Sequence, residues 1–132
     1  MNSLTSNPQI KPASQLGIVL FGHGSRDPNW RLPMEAVAAQ IRSREPATPV
    51  VCAYLELCEP SLPAAAAALI KDGAERVKIF PLFLGVGKHA REDLPLLVSE
   101  IRATHPQTEV ELMATAGENP ALIALMADLA LA

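Results

Sequence analysis

Four short apolar runs alternate along the chain with segments whose apolar residues recur every three or four positions. Residues 16–21 (LGIVLF), closed by Gly22, form a continuous run rich in β-branched residues, the pattern of a strand buried on both faces. Residues 49–55 (PVVCAYL) and 76–84 (RVKIFPLFL) repeat it. Residues 108–114 (TEVELMA) alternate between polar and apolar and read as a strand nearer a sheet edge.

The intervening segments have helical spacing. Met34, Val37, Ala38 and Ile41 fall at i, i+3, i+4 and i+7, as do Leu94, Leu97, Val98 and Ile101, and again Leu122, Leu125, Met126 and Leu129. A further helix is predicted over 61–72, nearly all alanine around Leu62, Leu69 and Ile70, with Ser61 as N-cap and Gly73 as its stop. Pro33 fits only a first helical turn, so the first helix should begin near Leu32 and the segment GHGSRDPNW before it should be mostly loop.

Strand followed by helix, four times over, predicts an α/β fold: a parallel sheet with helices on both faces and right-handed crossovers. Nothing in the pattern divides residues 16–132, which read as one α/β domain; residues 1–15 read as a disordered arm without the apolar core of a secretory signal. The composition suits that reading, since 132 residues with 49% hydrophobic and 19% charged side chains bury a real core.

Charge and cysteine content narrow the function classes. A formal net charge of -3, no basic run and few aromatic residues argue against a nucleic-acid partner. No uninterrupted apolar stretch reaches about 18 residues, which argues against a membrane span. Cys52 and Cys58 match neither a zinc knuckle nor a redox pair and read as buried free thiols of a cytoplasmic protein.

In a parallel sheet all strands end on one edge, and ligands bind beyond those carboxyl ends. His23 follows the first run, Glu56 the second and His89 the third, and each is separated from the next by 33 residues. A βαβ repeat takes about 30 residues, so this interval predicts three ligand-type side chains in phase on one edge. Two imidazoles and a carboxylate suit iron, cobalt, nickel or zinc.

Gly22 and Gly24 around His23, with Gly85 and Gly87 before His89, are expected to let backbone approach a bulky ligand. Each candidate also has a plain structural alternative. A single histidine after a strand often serves as a loop cap, and Glu56 could cap the second helix or pair with Lys88. Arg91 could pair with Glu92 or Asp93. Leu84 is expected in the core and His105 at the surface. His23, Ser25 and Asp27 are the residue types of a hydrolytic triad, but they are too close together in one loop to form nucleophile, base and orienter.

The three segments together are distinctive. GHGSRD, YLELCEPSL and PLFLGVGKHAREDLP, in that order, closely resemble the CbiX and SirB group of class II tetrapyrrole chelatases, the sirohydrochlorin cobaltochelatases and ferrochelatases. The resemblance extends from about Leu16 to Leu129. It implies a flavodoxin-like half unit with strand order 2-1-3-4, and an enzyme that inserts a divalent metal into sirohydrochlorin, in cobalamin or sirohaem-type biosynthesis.

By the same resemblance His23 and His89 are the metal-site histidines and Glu56 the active-site acid, either ligand or proton relay. No cofactor is permanently bound; the cobalt, iron or nickel ion is a substrate. Because the tetrapyrrole carries several carboxylates, Ser25, Arg26, Lys88 and Arg91 are candidate substrate-binding groups. Short members imply a symmetric homodimer with its cleft between subunits. A non-catalytic metal or tetrapyrrole carrier on the same fold is the alternative. Trp30 and Pro33 depart from the family pattern in the region of the first loop.

Overall fold

The computed structural model describes residues 15–132; the arm predicted over residues 1–15 falls almost wholly outside them. The elements follow in the order β1 (Leu16–Gly22), α1 (Leu32–Arg44), β2 (Val50–Tyr54), α2 (Leu62–Lys71), β3 (Arg76–Pro81), α3 (Lys88–Thr104), β4 (Glu109–Leu112) and α4 (Pro120–Leu131). The four strands form one parallel sheet in the order β2-β1-β3-β4, as the resemblance implied. β1 lies between β2 and β3, and β4 is an edge strand with Glu109 and Glu111 exposed, matching its alternating sequence.

Period-two alternation divides the core. Val19, Phe21, Val77 and Ile79 point to one face and are covered by Leu62, Ala66 and Leu69 of α2 and Leu94, Val98 and Ile101 of α3. Leu20, Val50 and Tyr54 point to the other, under Met34 and Ala38 of α1, with Phe80 and Leu82 only partly buried beside them. The second face is therefore the thinner, because α4 packs on the short 3-10 turn Ala116–Glu118 and buries none of its residues.

Helix ends follow the sequence signals. The Ser61 hydroxyl accepts the Ala64 N–H at 3.3 Å, and Gly73, with φ +112°, ends α2 while its N–H donates to the Ile70 carbonyl. The segment before α1 is more ordered than expected. Asp27 accepts the Asn29 N–H at 2.9 Å and caps a 3-10 turn, Pro28–Arg31, which runs into α1 at Leu32.

The two edge strands are closed alike. Pro49 gives its carbonyl to the Ile18 N–H, so the next carbonyl, that of Val50, faces away from β1, and Arg42 donates to it at 3.1 Å. Arg102 does the same to the Val110 carbonyl at 2.8 Å. An arginine from the preceding helix thus occupies an outward acceptor on each open edge, where another strand would otherwise pair.

Candidate functional site

The ladder between β1 and β2 continues past the strands. The Leu55 N–H donates to the Gly22 carbonyl at 2.9 Å and the Glu56 N–H to the His23 carbonyl at 3.1 Å. This carries the two chains side by side off the carboxyl edge and sets His23 next to Glu56, with Nε2 and Oε2 3.7 Å apart and both side chains about half exposed (50% and 55%). At that distance the two side chains are in contact without a hydrogen bond between them, so neither is tied up by the other. Two donors sharing a tetrahedral ion at about 2.0–2.1 Å stand roughly 3.3 Å apart, so a small side-chain rotation brings this pair to metal-binding distance.

Gly24 fixes the approach. It adopts φ +105°, and its Cα lies so close to the Glu56 carbonyl that a Cβ would overlap the oxygen. The glycine expected to admit a ligand instead admits the neighbouring protein loop. Gly85 and Gly87 face open space. The Ser25 hydroxyl accepts the Asp27 N–H at 3.0 Å, so both Ser25 and Asp27 hold the loop's shape while His23 faces Glu56. Arg26 is exposed beside them.

Two further residues shape this region. Leu57, the residue after Glu56, takes φ +70°, a left-handed conformation costly for leucine, and stays about half exposed. Trp30, whose presence was unexplained, packs its indole on Tyr54 with ring centroids 6.0 Å apart. Tyr54 is 4% exposed, and burial, followed by the nearby Cys52, pushes its phenol up to about 12. Cys52 and Cys58 are free and half-buried, not fully buried as expected; burial, then Glu35, raises the Cys52 thiol.

The third strand leads elsewhere. Leu82 continues the ladder by donating to the Phe21 carbonyl at 2.8 Å, but the following loop is tied sideways. Thr115, buried, donates its hydroxyl to the Phe83 carbonyl at 3.0 Å, the Gly117 N–H donates to the same carbonyl at 2.8 Å, and Gly117 packs on the Leu84 carbonyl. Lys88, His89 and Arg91 therefore lie on the first turn of α3, all exposed, with Gly87 as N-cap. Arg91 donates to the Val86 carbonyl at 3.3 Å rather than pairing with Glu92 or Asp93.

The structure thus brings His23 and Glu56 together and leaves His89 on the neighbouring helix. Among the described residues no three His, Cys, Asp or Glu side chains gather closely enough to hold a metal ion. Glu56 faces His23 rather than Lys88, and Ser61 caps α2 in its place. Leu84, expected in the core, is 69% exposed, because Thr115 and Gly117 hold the Phe83 carbonyl and turn the loop outward. His105, expected at the surface, is half-buried as the C-cap of α3. No helix among the described residues is long and apolar enough to cross a membrane.

Comparison with known proteins gives this edge a context. The sirohydrochlorin cobaltochelatase of Methanothermobacter thermautotrophicus is 34% identical over 92 residues, which cover 70% of this chain and 62% of that protein. A CbiX protein from Marinobacter aquaeolei VT8 has a solved structure similar at a TM-score of 0.74 and 33% identity, covering 88% of this chain and 94% of that one. The sirohydrochlorin chelatase SirB from Bacillus subtilis subspecies spizizenii, solved in complex with cobalt, follows at a TM-score of 0.68 and 26% identity, covering 87% of this chain and 51% of that one. The chain spans 58 to 62% of the length of the first curated relatives it matches. The family model described as CbiX matches residues 17–131, and the chain belongs to that family.

Proposed function

We propose that this chain inserts a divalent transition metal ion into a tetrapyrrole of the sirohydrochlorin class. The observation that carries the reading is the half-exposed His23–Glu56 pair at the carboxyl edge of the sheet in a member of the CbiX family. The names of its relatives supply the substrate class: sirohydrochlorin with cobalt or iron.

Insertion needs a site that holds the ion loosely, removes two pyrrole protons and releases the product. An imidazole and a carboxylate are intermediate ligands for such ions and accept iron, cobalt and nickel alike. In this reading His23 holds the ion and, once the ion has moved onto the pyrrole nitrogens and freed its ring nitrogen, accepts one pyrrole proton, since the ordinary pKa of imidazole lies near neutrality. Glu56 balances the metal charge, accepts the other pyrrole proton and passes it to solvent. His89 completes the ligand set from the first turn of α3 once the macrocycle is bound. Arg26, Lys88 and Arg91, all exposed, receive substrate carboxylates, and Ser25 keeps the His23 loop in shape.

The active species in this reading is a cytoplasmic homodimer, in which a second copy supplies the wall that an open, half-exposed site lacks. Anaerobic mixing of the protein with sirohydrochlorin and Co2+, Fe2+ or Ni2+ tests the chemistry through the change in absorption on insertion. Acceleration over the spontaneous rate with at least one metal is expected. No acceleration with any of them overturns the proposal and leaves a binding role.

A further inference from the structure

The residue after Glu56 carries a cost that the fold does not explain. Leu57 adopts φ +70°, and among the described residues it is the one residue other than glycine with a left-handed backbone. In that conformation the leucine Cβ crowds the following carbonyl, whereas glycine adopts it freely. The turn itself is imposed from both sides. The Glu56 N–H donates to the His23 carbonyl at 3.1 Å and the Tyr54 N–H to the Pro60 carbonyl at 2.9 Å, so the chain has only residues 57–59 in which to double back. Packing does not account for the leucine. Leu55 packs on the core cluster under α2 and α3, and Cys58 on the one under α1, but Leu57 belongs to neither and is 48% exposed. Folding alone would be better served here by glycine or asparagine.

We propose that Leu57 is a substrate-binding residue, whose side chain lies against the apolar face of the tetrapyrrole ring beside the Glu56 carboxylate. Strained backbone persists where function rather than folding rewards it, and this strain stands one residue from the His23–Glu56 pair. His23, Arg26 and Glu56 on the same two loops are exposed and polar. They can meet an ion and carboxylates, but not the flat apolar face of a macrocycle, and Leu57 supplies that surface. A single leucine side chain suits one edge of a ring and is far too small for a protein interface. The proposal rests on the tetrapyrrole substrate of the functional reading and adds to it a contact that involves neither metal nor proton.

Titration with metal-free sirohydrochlorin, followed through the absorption of the macrocycle, reads this contact without any insertion step. Leu57→Asn tolerates the left-handed backbone and removes the apolar surface. It is expected to weaken macrocycle binding roughly tenfold, the loss that follows from leaving about half a leucine side chain uncovered. Its urea midpoint is expected at or above that of wild type, with cobalt binding by the free protein unchanged. Leu57→Met, which restores an apolar side chain, is expected to bind within about twofold of wild type. Leu96→Asn, on α3 and 68% exposed, is expected to bind as wild type does. In the insertion assay Leu57→Asn should raise KM with kcat little changed, since the contact is made equally before and during insertion. Equal macrocycle binding by wild type and Leu57→Asn overturns the proposal and leaves the insertion reading standing. Binding that depends on Leu57 in a protein that inserts no metal supports the proposal and overturns insertion. A lowered urea midpoint, or a matching loss of cobalt affinity, overturns it by making Leu57 a structural residue or one that places Glu56. So does an equal loss in Leu96→Asn, and a wild-type protein that binds no macrocycle overturns both readings.

Discussion

The Cα of Gly24 rests against the main-chain carbonyl of Glu56, in a backbone conformation, φ +105°, that other residues rarely adopt. The loop after β1 and the loop after β2 are thereby locked at the point where His23 and Glu56 meet. Gly24→Ala has to relieve both the overlap and the left-handed backbone. It is expected to cost about 2 kcal/mol or more, lowering the thermal midpoint by roughly 4 °C per kcal/mol, and to weaken Co2+ binding in the same variant. Unchanged melting and unchanged cobalt titration would mean that the two loops are not coupled.

Glu56 and Ser61 can be separated by substitution. Ser61 holds the N-cap of α2, so Ser61→Ala is expected to cost about 1 kcal/mol in a urea titration. Glu56 is half exposed and caps nothing, so Glu56→Gln is expected to stay within about 0.5 kcal/mol of wild type while binding of cobalt weakens. A stability loss at Glu56 as large as that at Ser61 would return it to a structural role.

The two histidines differ in placement, and their variants are expected to differ in kind. His23→Ala removes a member of the preformed pair and should weaken cobalt binding by the free protein and abolish most insertion. His89→Ala should leave cobalt binding by the free protein close to wild type and still lose most insertion, because in the proposed reading His89 joins the ligand set only when the macrocycle is present. Titration with cobalt alone, followed by the insertion assay, distinguishes them. Equal loss of cobalt binding in both variants would show His89 to be a ligand before substrate arrives.

How much of this the sequence carries depends on the range of the interaction. The β1 run, the start of α1 at Leu32 and both ends of α2 are legible, because continuous apolar runs, Pro33, Ser61 and Gly73 act locally. The pairing of His23 with Glu56 follows from their both standing one or two residues beyond adjacent strands. The equal interval to His89 does not carry over to the strand ends, because β3 ends at Pro81 and the loop to Gly87 adds residues before α3 begins. The Thr115 and Gly117 contacts that turn that loop outward join residues more than thirty positions apart, beyond the reach of any local pattern. The stripe on α4 was visible as a helix face, but periodicity does not say what covers it.

Tyr54 supplies a pH test that is independent of the chemistry. It is the only tyrosine in the chain, so the ultraviolet absorption of tyrosinate reports it alone. Burial raises its phenol from the ordinary 10 to about 12 in the folded protein. Between these values the unfolded chain has lost the proton and the folded one keeps it, so this group's contribution to stability is constant below pH 10 and is lost as pH rises toward 12. The fall is roughly 2 to 3 kcal/mol over that window. Tyr54→Phe cannot titrate, so its urea midpoint should lose less than that of wild type between neutral pH and pH about 11. At neutral pH the variant is expected to stay within about 1 kcal/mol of wild type. A tyrosine absorption change centred at pH 10 in the folded protein, or parallel losses in the two proteins at high pH, would show that the phenol is not held away from water.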